Sequence, residues 1–231
     1  MIEQLNSTIS VIIATLNEEE GIGPTIDEMQ RVLKNPYLVV VDGNSVDRTI
    51  EIAKNMGADV QLQEGKGKGD AMFQGLRNLD SRVSYVVFTD ADYTYPAQYV
   101  PQMVEILEQN PKVGMVIGDR FKGKVNASKT FTNPFYVGNR LLALAQLVMN
   151  GVNLDDPLSG LRVVRSEALD GWRPKSKGFD VEAEMNALVE RRGYRIVEIP
   201  IDYRSRMGEK KLKLRHGLGI IRRIFAEGFS I

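Results

Sequence analysis

Four apolar runs in the first 121 residues each stop at polar side chains, and this pattern constrains the fold more than any other feature. ISVIIATL (9–16) runs into Asn17 and Glu18, and YLVVVDG (37–43) ends at Asp42. SYVVFTDAD (84–92) ends at Asp90 and Asp92, and VGMVIGDRF (113–121) ends at Asp119 and Arg120. Runs this β-branched and this continuous belong to strands covered on both faces. Between them lie helix-like stretches: EEEGIGPTIDEMQRVL, SVDRTIEIAKNMGA, GKGDAMFQGLRNL and, opened by Pro96, AQYVPQMVEILEQN. Ser45 stands near the expected N-cap of the second of these and Gly57 at its end. DVQLQ adds a short strand. Alternation of this kind predicts an α/β fold with a doubly wound, mostly parallel, Rossmann-like sheet.

The second half has a different rhythm. PFYVGNRLLALAQLVMNG (134–151) reads as a long helix, and DDPLSGLRVVRSEAL (155–169) as a loop and short strand. FDVEAEMNALVERRG is a helix, YRIVEIPIDYR a strand, and KLKLRHGLGIIRRIFAEGF a terminal helix. No linker or low-complexity segment separates the halves, so residues 1–231 are expected to form one domain, with 1–121 and 122–231 as its two halves.

Composition excludes some chemistry. The chain has no cysteine and one histidine, His216, so thiolate and multi-histidine metal sites are ruled out. The polar N-terminus gives no sign of a secretory leader. No apolar stretch approaches the roughly 18 residues of a membrane-spanning helix. Net charge is zero, yet residues 204–223 hold Arg204, Arg206, Lys210, Lys211, Lys213, Arg215, Arg222 and Arg223 against Glu209 alone. A basic tail on an acidic body points to an anionic partner near the C-terminus.

In an open parallel sheet, ligands bind beyond the carboxyl ends of the strands. The polar residues that end the apolar runs therefore converge on one edge. Asp90 and Asp92 would repel there unless a cation lay between them. Oxygen donors of this kind suit Mg²⁺ or Mn²⁺, which commonly take one or two carboxylates together with substrate phosphates. In the plainer alternative, Asp92 caps the turn into the next helix and Asp90 is solvated. EGKGKGDA (64–71) sets two lysines among glycines before a helix, an arrangement that suits phosphate but is also compatible with a flexible turn. In DDPLSGLR (155–162), Asp155 and Asp156 either make an Asx-turn with Pro157 or place a carboxylate or Ser159 beside a reacting centre.

Seven segments in order, VIIATLNEEEGI, VVVDGNSVDRT, GKGKGDA, FTDADYTYP, VIGDRF, DPLSGLRVVRSEAL and IPIDYRSRMGEKKL, resemble family 2 glycosyltransferases of the GT-A fold over nearly the whole chain. The likeness is greatest to the polyprenyl-phosphate branch, the dolichol-phosphate mannose and glucose synthases and archaeal N-glycosylation relatives. The resemblance implies a metal-dependent, inverting transfer of a hexosyl or N-acetylhexosaminyl group from a UDP- or GDP-sugar to a polyprenyl (dolichyl) phosphate. The halves then become a nucleotide-sugar half and a C-terminal acceptor-side elaboration. It assigns Thr15, Leu16, Asn17, Glu18, Asp42, Lys68 and the Asp90-Ala91-Asp92 stretch to the nucleotide, with Mg²⁺ or Mn²⁺ on Asp90 and Asp92. It assigns Arg120 to the acceptor phosphate and Arg206 with Lys210 or Lys211 to both phosphates; Arg140 and Ser159 are further acceptor-side candidates. Two departures stand out. Thr94 replaces the usual glutamine, which weakens the case for a third metal ligand, and Asp119 replaces a common serine.

Asp92 is expected to face solvent at its strand end. In the terminal helix, Leu214, Leu218, Ile221 and Phe225 share one face. Two arrangements satisfy that face: docking on the core, or lying in a membrane surface with the cations on anionic headgroups. The second would hold the protein peripherally at the cytoplasmic side of a membrane. No nucleic-acid partner is expected. Rival readings are a family 2 enzyme with a hydroxyl acceptor and a non-catalytic membrane-surface module. Against the first, the lone Trp172 lies in DGWRP rather than in a Q-x-x-R-W segment. Against the second, a binding module gives no role to the paired aspartates.

Overall fold

A computed structural model describes residues 9–34, 36–122, 134–209, 211 and 216–229. Seven strands and seven α-helices are described: β1 (Ile9–Thr15), α1 (Ile22–Leu33), β2 (Tyr37–Asp42), α2 (Thr49–Asn55), β3 (Asp59–Leu62), α3 (Lys68–Arg77), β4 (Tyr85–Asp90), α4 (Val100–Gln109), β5 (Val113–Asp119), α5 (Pro134–Asn150), β6 (Arg162–Arg165), α6 (Val181–Arg191), β7 (Arg195–Pro200) and α7 (His216–Gly228). The strands form one sheet in the order β3-β2-β1-β4-β6-β5-β7. The fold is the mostly parallel α/β sheet expected.

Continuous apolar runs arise because successive residues of each strand enter opposite cores. Val11 and Ile13, Val40, Val87, Val116 and Val163 pack with Ile26 and Met29 of α1 and Val104 and Leu107 of α4. Ile12, Val39, Val41, Val86, Phe88, Met115, Ile117 and Val164 face the other way, against Met72 of α3 and Met185 and Val189 of α6. A third, smaller cluster joins α5 and α7 to α6 through Ala183, Ile220, Ile224 and Leu142.

The sequence reading assigned β6 no direction. It runs antiparallel to both β4 and β5, which it separates, with Val87 opposite Val163 and Ile117 opposite Arg162. Reversal brings the loop before it, 155–161, to the edge where β4 and β5 end. The start of α2 also differs from expectation. The Thr49 N–H donates to Asp47 Oδ1 at 3.0 Å, while Ser45 donates its N–H and hydroxyl to Asp42 at 2.7 and 2.6 Å. Asp47 serves the start of that helix, and Ser45 belongs to the strand-end turn. After Pro96 a 3₁₀ turn, Ala97–Tyr99, precedes α4.

Core and surface should respond differently to truncation. Ile117→Ala, fully buried, should cost about 2–5 kcal/mol in urea unfolding. Val148→Ala, at a site 74% exposed on α5, should change stability by no more than about 0.5 kcal/mol. Similar values for the two would contradict this core.

Candidate active site

The first two strand ends are tied into one turn. Asn17, at φ 50°, takes the Val46 N–H on its side-chain oxygen at 2.8 Å and donates its own N–H to Ser45 Oγ at 2.7 Å. The Glu18 N–H donates to Thr49 Oγ1 at 2.8 Å, and the Gly43 N–H to the Thr15 carbonyl at 2.8 Å. Asp42 is fully buried, with both oxygens engaged by Ser45. Leu16 lies exposed beside this turn. Gly21 starts α1 against the aspartate stretch, where an added Cβ would come 2.6 Å from the Ala91 carbonyl oxygen.

Asp90 and Asp92 do not stand free in solvent. Each is held by a cation from a distant segment. Lys68, at the start of α3, places its ammonium 2.6 Å from Asp90 Oδ1 and 2.6 Å from Glu182 Oε1. Glu182, a buried residue in the first turn of α6, has no counterpart in the sequence reading, because only the folded sheet sets α6 beside α3. Arg206 bridges Asp92 and Glu18, and Lys211 reaches Glu18 at 2.5 Å and the Asn17 carbonyl at 2.9 Å. The segment carrying Arg206 is sewn to the aspartates by its backbone, the Arg204 N–H donating to Thr94 O at 3.0 Å and the Met207 N–H to Asp92 O at 3.1 Å. Arg204 itself pairs with Glu28 and lies over the Tyr93 ring.

The expectation that Asp92 faces solvent is overturned: it is 3% exposed. Its side chain also accepts the Thr94 hydroxyl at 2.6 Å, so Thr94 orients Asp92. Burial first, and the Asp90 charge second, push the Asp92 carboxyl above its ordinary range. Burial also acts to raise Asp90, but Lys68, with Arg120 and Arg206 behind it, more than offsets this and holds that carboxyl low. Burial raises Glu18 as well, against Lys211 and Arg206. Two close carboxylates facing two or three cations form an oxygen site that fits a hard divalent ion once those cations turn to an anionic ligand.

Across the edge lies a second arginine–carboxylate pair. Arg120 grips the fully buried Asp156 through Nε and Nη2, each at 2.7 Å, a bidentate geometry only arginine offers. Asp155 and Asp156 donate their N–H groups to Glu198 at 2.8 and 2.7 Å, so β7 anchors the turn. Arg140, on α5, pairs with Asp155, which Lys122 also contacts. Asp119, Asp155 and Glu198 cluster together, but backbone N–H groups and the neighbouring cations engage them. Ser159 is buried in the same turn. Gly160 leaves room for the Asp90 carboxylate, since an added Cβ would lie 2.6 Å from Asp90 Oδ2.

Lys210, Lys213, Leu214 and Arg215 lie outside the described residues. In α7 the docked row is Ile220 and Ile224, while the row expected from the sequence, Leu218, Ile221 and Phe225, points outward. Arg223 is not a free surface cation. It pairs with Asp180, Glu184 and Glu227. No described helix is long and apolar enough to cross a membrane.

The profile described as glycosyl transferase family 2 matches residues 10–172. A dolichyl-phosphate hexose transferase of Haloferax volcanii is 34% identical over 92% of this chain and 90% of its own length. A dolichol-phosphate mannosyltransferase of Pyrococcus furiosus is 27% identical over 94% of this chain, which spans 62% of that protein. A glucosyl-3-phosphoglycerate synthase of Mycobacterium tuberculosis, solved with Mn²⁺, UDP and phosphoglyceric acid, shares the fold at a TM-score of 0.76 and 25% identity, covering 100% of this chain and 82% of that one.

Removing the ammonium between two carboxylates tests the cluster. Lys68→Met should destabilise by up to about 3–5 kcal/mol, because it strands the buried Glu182 beside the half-buried Asp90. Adding Glu182→Gln to that variant should recover part of the loss in urea unfolding. Additive losses would show that the three groups are uncoupled.

Proposed function

The chain belongs to glycosyl transferase family 2, and we propose that it moves a hexosyl group from a nucleotide sugar to a polyprenyl phosphate, inverting the anomeric centre. The observation that carries this is the paired carboxylate at the end of β4, with Lys68 on Asp90, Arg206 on Asp92, and Arg120 on the facing turn. This is a site for two phosphate-bearing groups. The Haloferax volcanii relative, a dolichyl-phosphate hexose transferase, supports a lipid phosphate as the acceptor.

Asp90 and Asp92 would hold Mg²⁺ or Mn²⁺, which supplies Lewis acidity to the diphosphate leaving group. The Mycobacterium tuberculosis synthase, solved with Mn²⁺ and UDP, supports that choice of ion. Lys68 and Arg206 add fixed positive charge where the leaving group becomes more negative. Arg206 and Lys211 both contact Glu18, and a diphosphate offers them a stronger anion. The Asn17–Ser45–Asp42 turn forms the nucleotide end. Arg120, pre-oriented by Asp156, receives the acceptor phosphate. A lipid monophosphate has its second pKa near ~6 and is largely dianionic at neutral pH, so it needs placement more than a general base. Attack opposite the departing diphosphate inverts the centre.

The acceptor places the enzyme at a bilayer. Leu141, Leu144, Leu147 and Val148 of α5 and Leu218, Ile221, Phe225 and Phe229 at the C-terminal helix are exposed. Arg222 adds positive charge on α7, which packs on α5. This face suits an anionic membrane surface, where each cation adds up to ~1 kcal/mol. Peripheral binding on the cytoplasmic side follows from that reading.

The deciding assay mixes the protein with UDP- and GDP-sugars, Mn²⁺ or Mg²⁺ and a short polyprenyl phosphate, and identifies the lipid product by mass. Transfer should stop with chelator and return with metal, and Asp92→Asn should be inactive. Arg120→Lys keeps a charge for Asp156 but loses the fork. It should raise the acceptor KM by about tenfold, the worth of one charge-assisted hydrogen bond, and leave the donor KM within about twofold. Product formed only on a saccharide hydroxyl would reject the lipid acceptor. In flotation, the protein should bind anionic liposomes, less so at high salt, and Val148→Asp with Phe225→Asp should abolish binding. Equal flotation of that double variant would remove this face as the contact.

A further inference from the structure

Arg162 is fully buried and, among the described residues, pairs with no carboxylate. A buried charge without a counter-ion is costly unless every donor is satisfied. Here Nε and Nη2 are satisfied by one turn and Nη1 by α6. Nε and Nη2 donate to the Ser159 carbonyl at 3.1 and 2.7 Å, and Nη2 also donates to the Pro157 carbonyl at 3.1 Å. Nη1 donates to Asn186 Oδ1 at 2.9 Å. Asn186 in turn donates to the Pro157 carbonyl at 2.9 Å and to Gln146 Oε1 at 3.1 Å, and Gln146 donates to the Ala183 carbonyl at 2.7 Å. Arg162, Asn186 and Gln146 are all wholly buried, on β6, α6 and α5.

The clamped turn carries three things the site needs. Asp156 holds Arg120 in its bidentate pose. The Gly160 N–H donates to Tyr95 Oη at 2.7 Å, which ties the turn to the segment after the aspartates. Gly160 itself abuts the Asp90 carboxylate. A shift of this turn would therefore move Arg120 relative to Asp90. A guanidinium can hold two carbonyls and an amide at once because its five donors form a rigid fork. An ammonium cannot.

We propose that Arg162, braced by Asn186 and Gln146, is a positioning residue of the transfer reaction: it fixes the 156–160 turn so that the acceptor-side arginine, Arg120, stands at a set distance from Asp90. This rests on the assignment of Arg120 to the acceptor phosphate. It predicts an effect on the acceptor half that a general loss of stability would not produce.

Two variants test it, Arg162→Lys, which keeps the charge and loses the fork, and Asn186→Ala, which keeps the arginine and loses its brace. Amide hydrogen exchange over 155–161 should speed up at least tenfold in both, with the remaining strands protected as before. With the short polyprenyl phosphate, kcat/KM for the acceptor should fall at least tenfold, while UDP or GDP binding measured by calorimetry stays within about twofold of wild type. Wild-type acceptor kinetics in both folded variants would overturn the proposal, as would an equal loss of nucleotide affinity. If Arg162→Lys does not fold, Asn186→Ala decides by the same criteria. If the wild-type protein makes no lipid-linked sugar, the acceptor reading fails, and unchanged exchange over 155–161 would separately show that the clamp does not hold the turn.

Discussion

Two carboxylates at the end of one strand cannot sit side by side in a buried edge without cations, and this repulsion organises the site. Asp92 is buried and Asp90 half-buried at the edge where the parallel strands β1, β2, β3, β5 and β7 also end. The structure answers with alternating charge. Glu182, Lys68 and Asp90 form one row, and Asp92, Arg206, Glu18 and Lys211 form another. The cations lie far along the chain from the acids they meet, so the rows close only in the folded state. Their net effect is a set of positive groups held by weakly solvated acids. On the proposed function, a nucleoside diphosphate would take those groups over, because it presents denser negative charge than a single carboxylate.

The reversed strand β6 is the other determinant. A parallel strand between β4 and β5 would send its preceding loop to the far edge of the sheet. An antiparallel one delivers residues 155–161 to the ligand edge, opposite the aspartates. That loop has no ladder of its own, and its inward carbonyls need donors. Arg162 supplies them from the first position of β6, with Asn186 and Gln146 behind it. Asp156 can then spend its whole carboxylate on Arg120. One buried arginine inside the sheet and one at its edge are thus linked through a single turn.

The outer helices divide their apolar residues between two tasks. In α7 the row Ile220 and Ile224 docks, while Leu218, Ile221 and Phe225 remain outward. In α5, Ala143 and Gln146 are buried, and Leu141, Leu144 and Val148 are outward. Helical spacing marks both rows equally, and only the packing of α5, α6 and α7 on one another selects which one is covered.

Much of the scaffold was legible in the residues themselves, because it depends on local patterning. Continuous β-branched runs specify strands covered on both faces, and strand–helix alternation specifies a doubly wound sheet. Strands of that kind bring their terminal polar residues to one edge, so pattern alone places Asp42, Asp90, Asp92 and Arg120 there. The spacing of the two aspartates stated the charge problem but not its solution. The partners lie far along the chain: Lys68 to Glu182, Asp92 to Arg206, Arg162 to Asn186. No local period encodes such pairs. The burial of Asp92, the direction of β6, the pairing of Arg223 and the choice of docked face in α7 all follow from which elements pack together. Local pattern specifies the strands and the chemistry at their ends, whereas which cation answers which carboxylate depends on distances across the fold rather than along the chain.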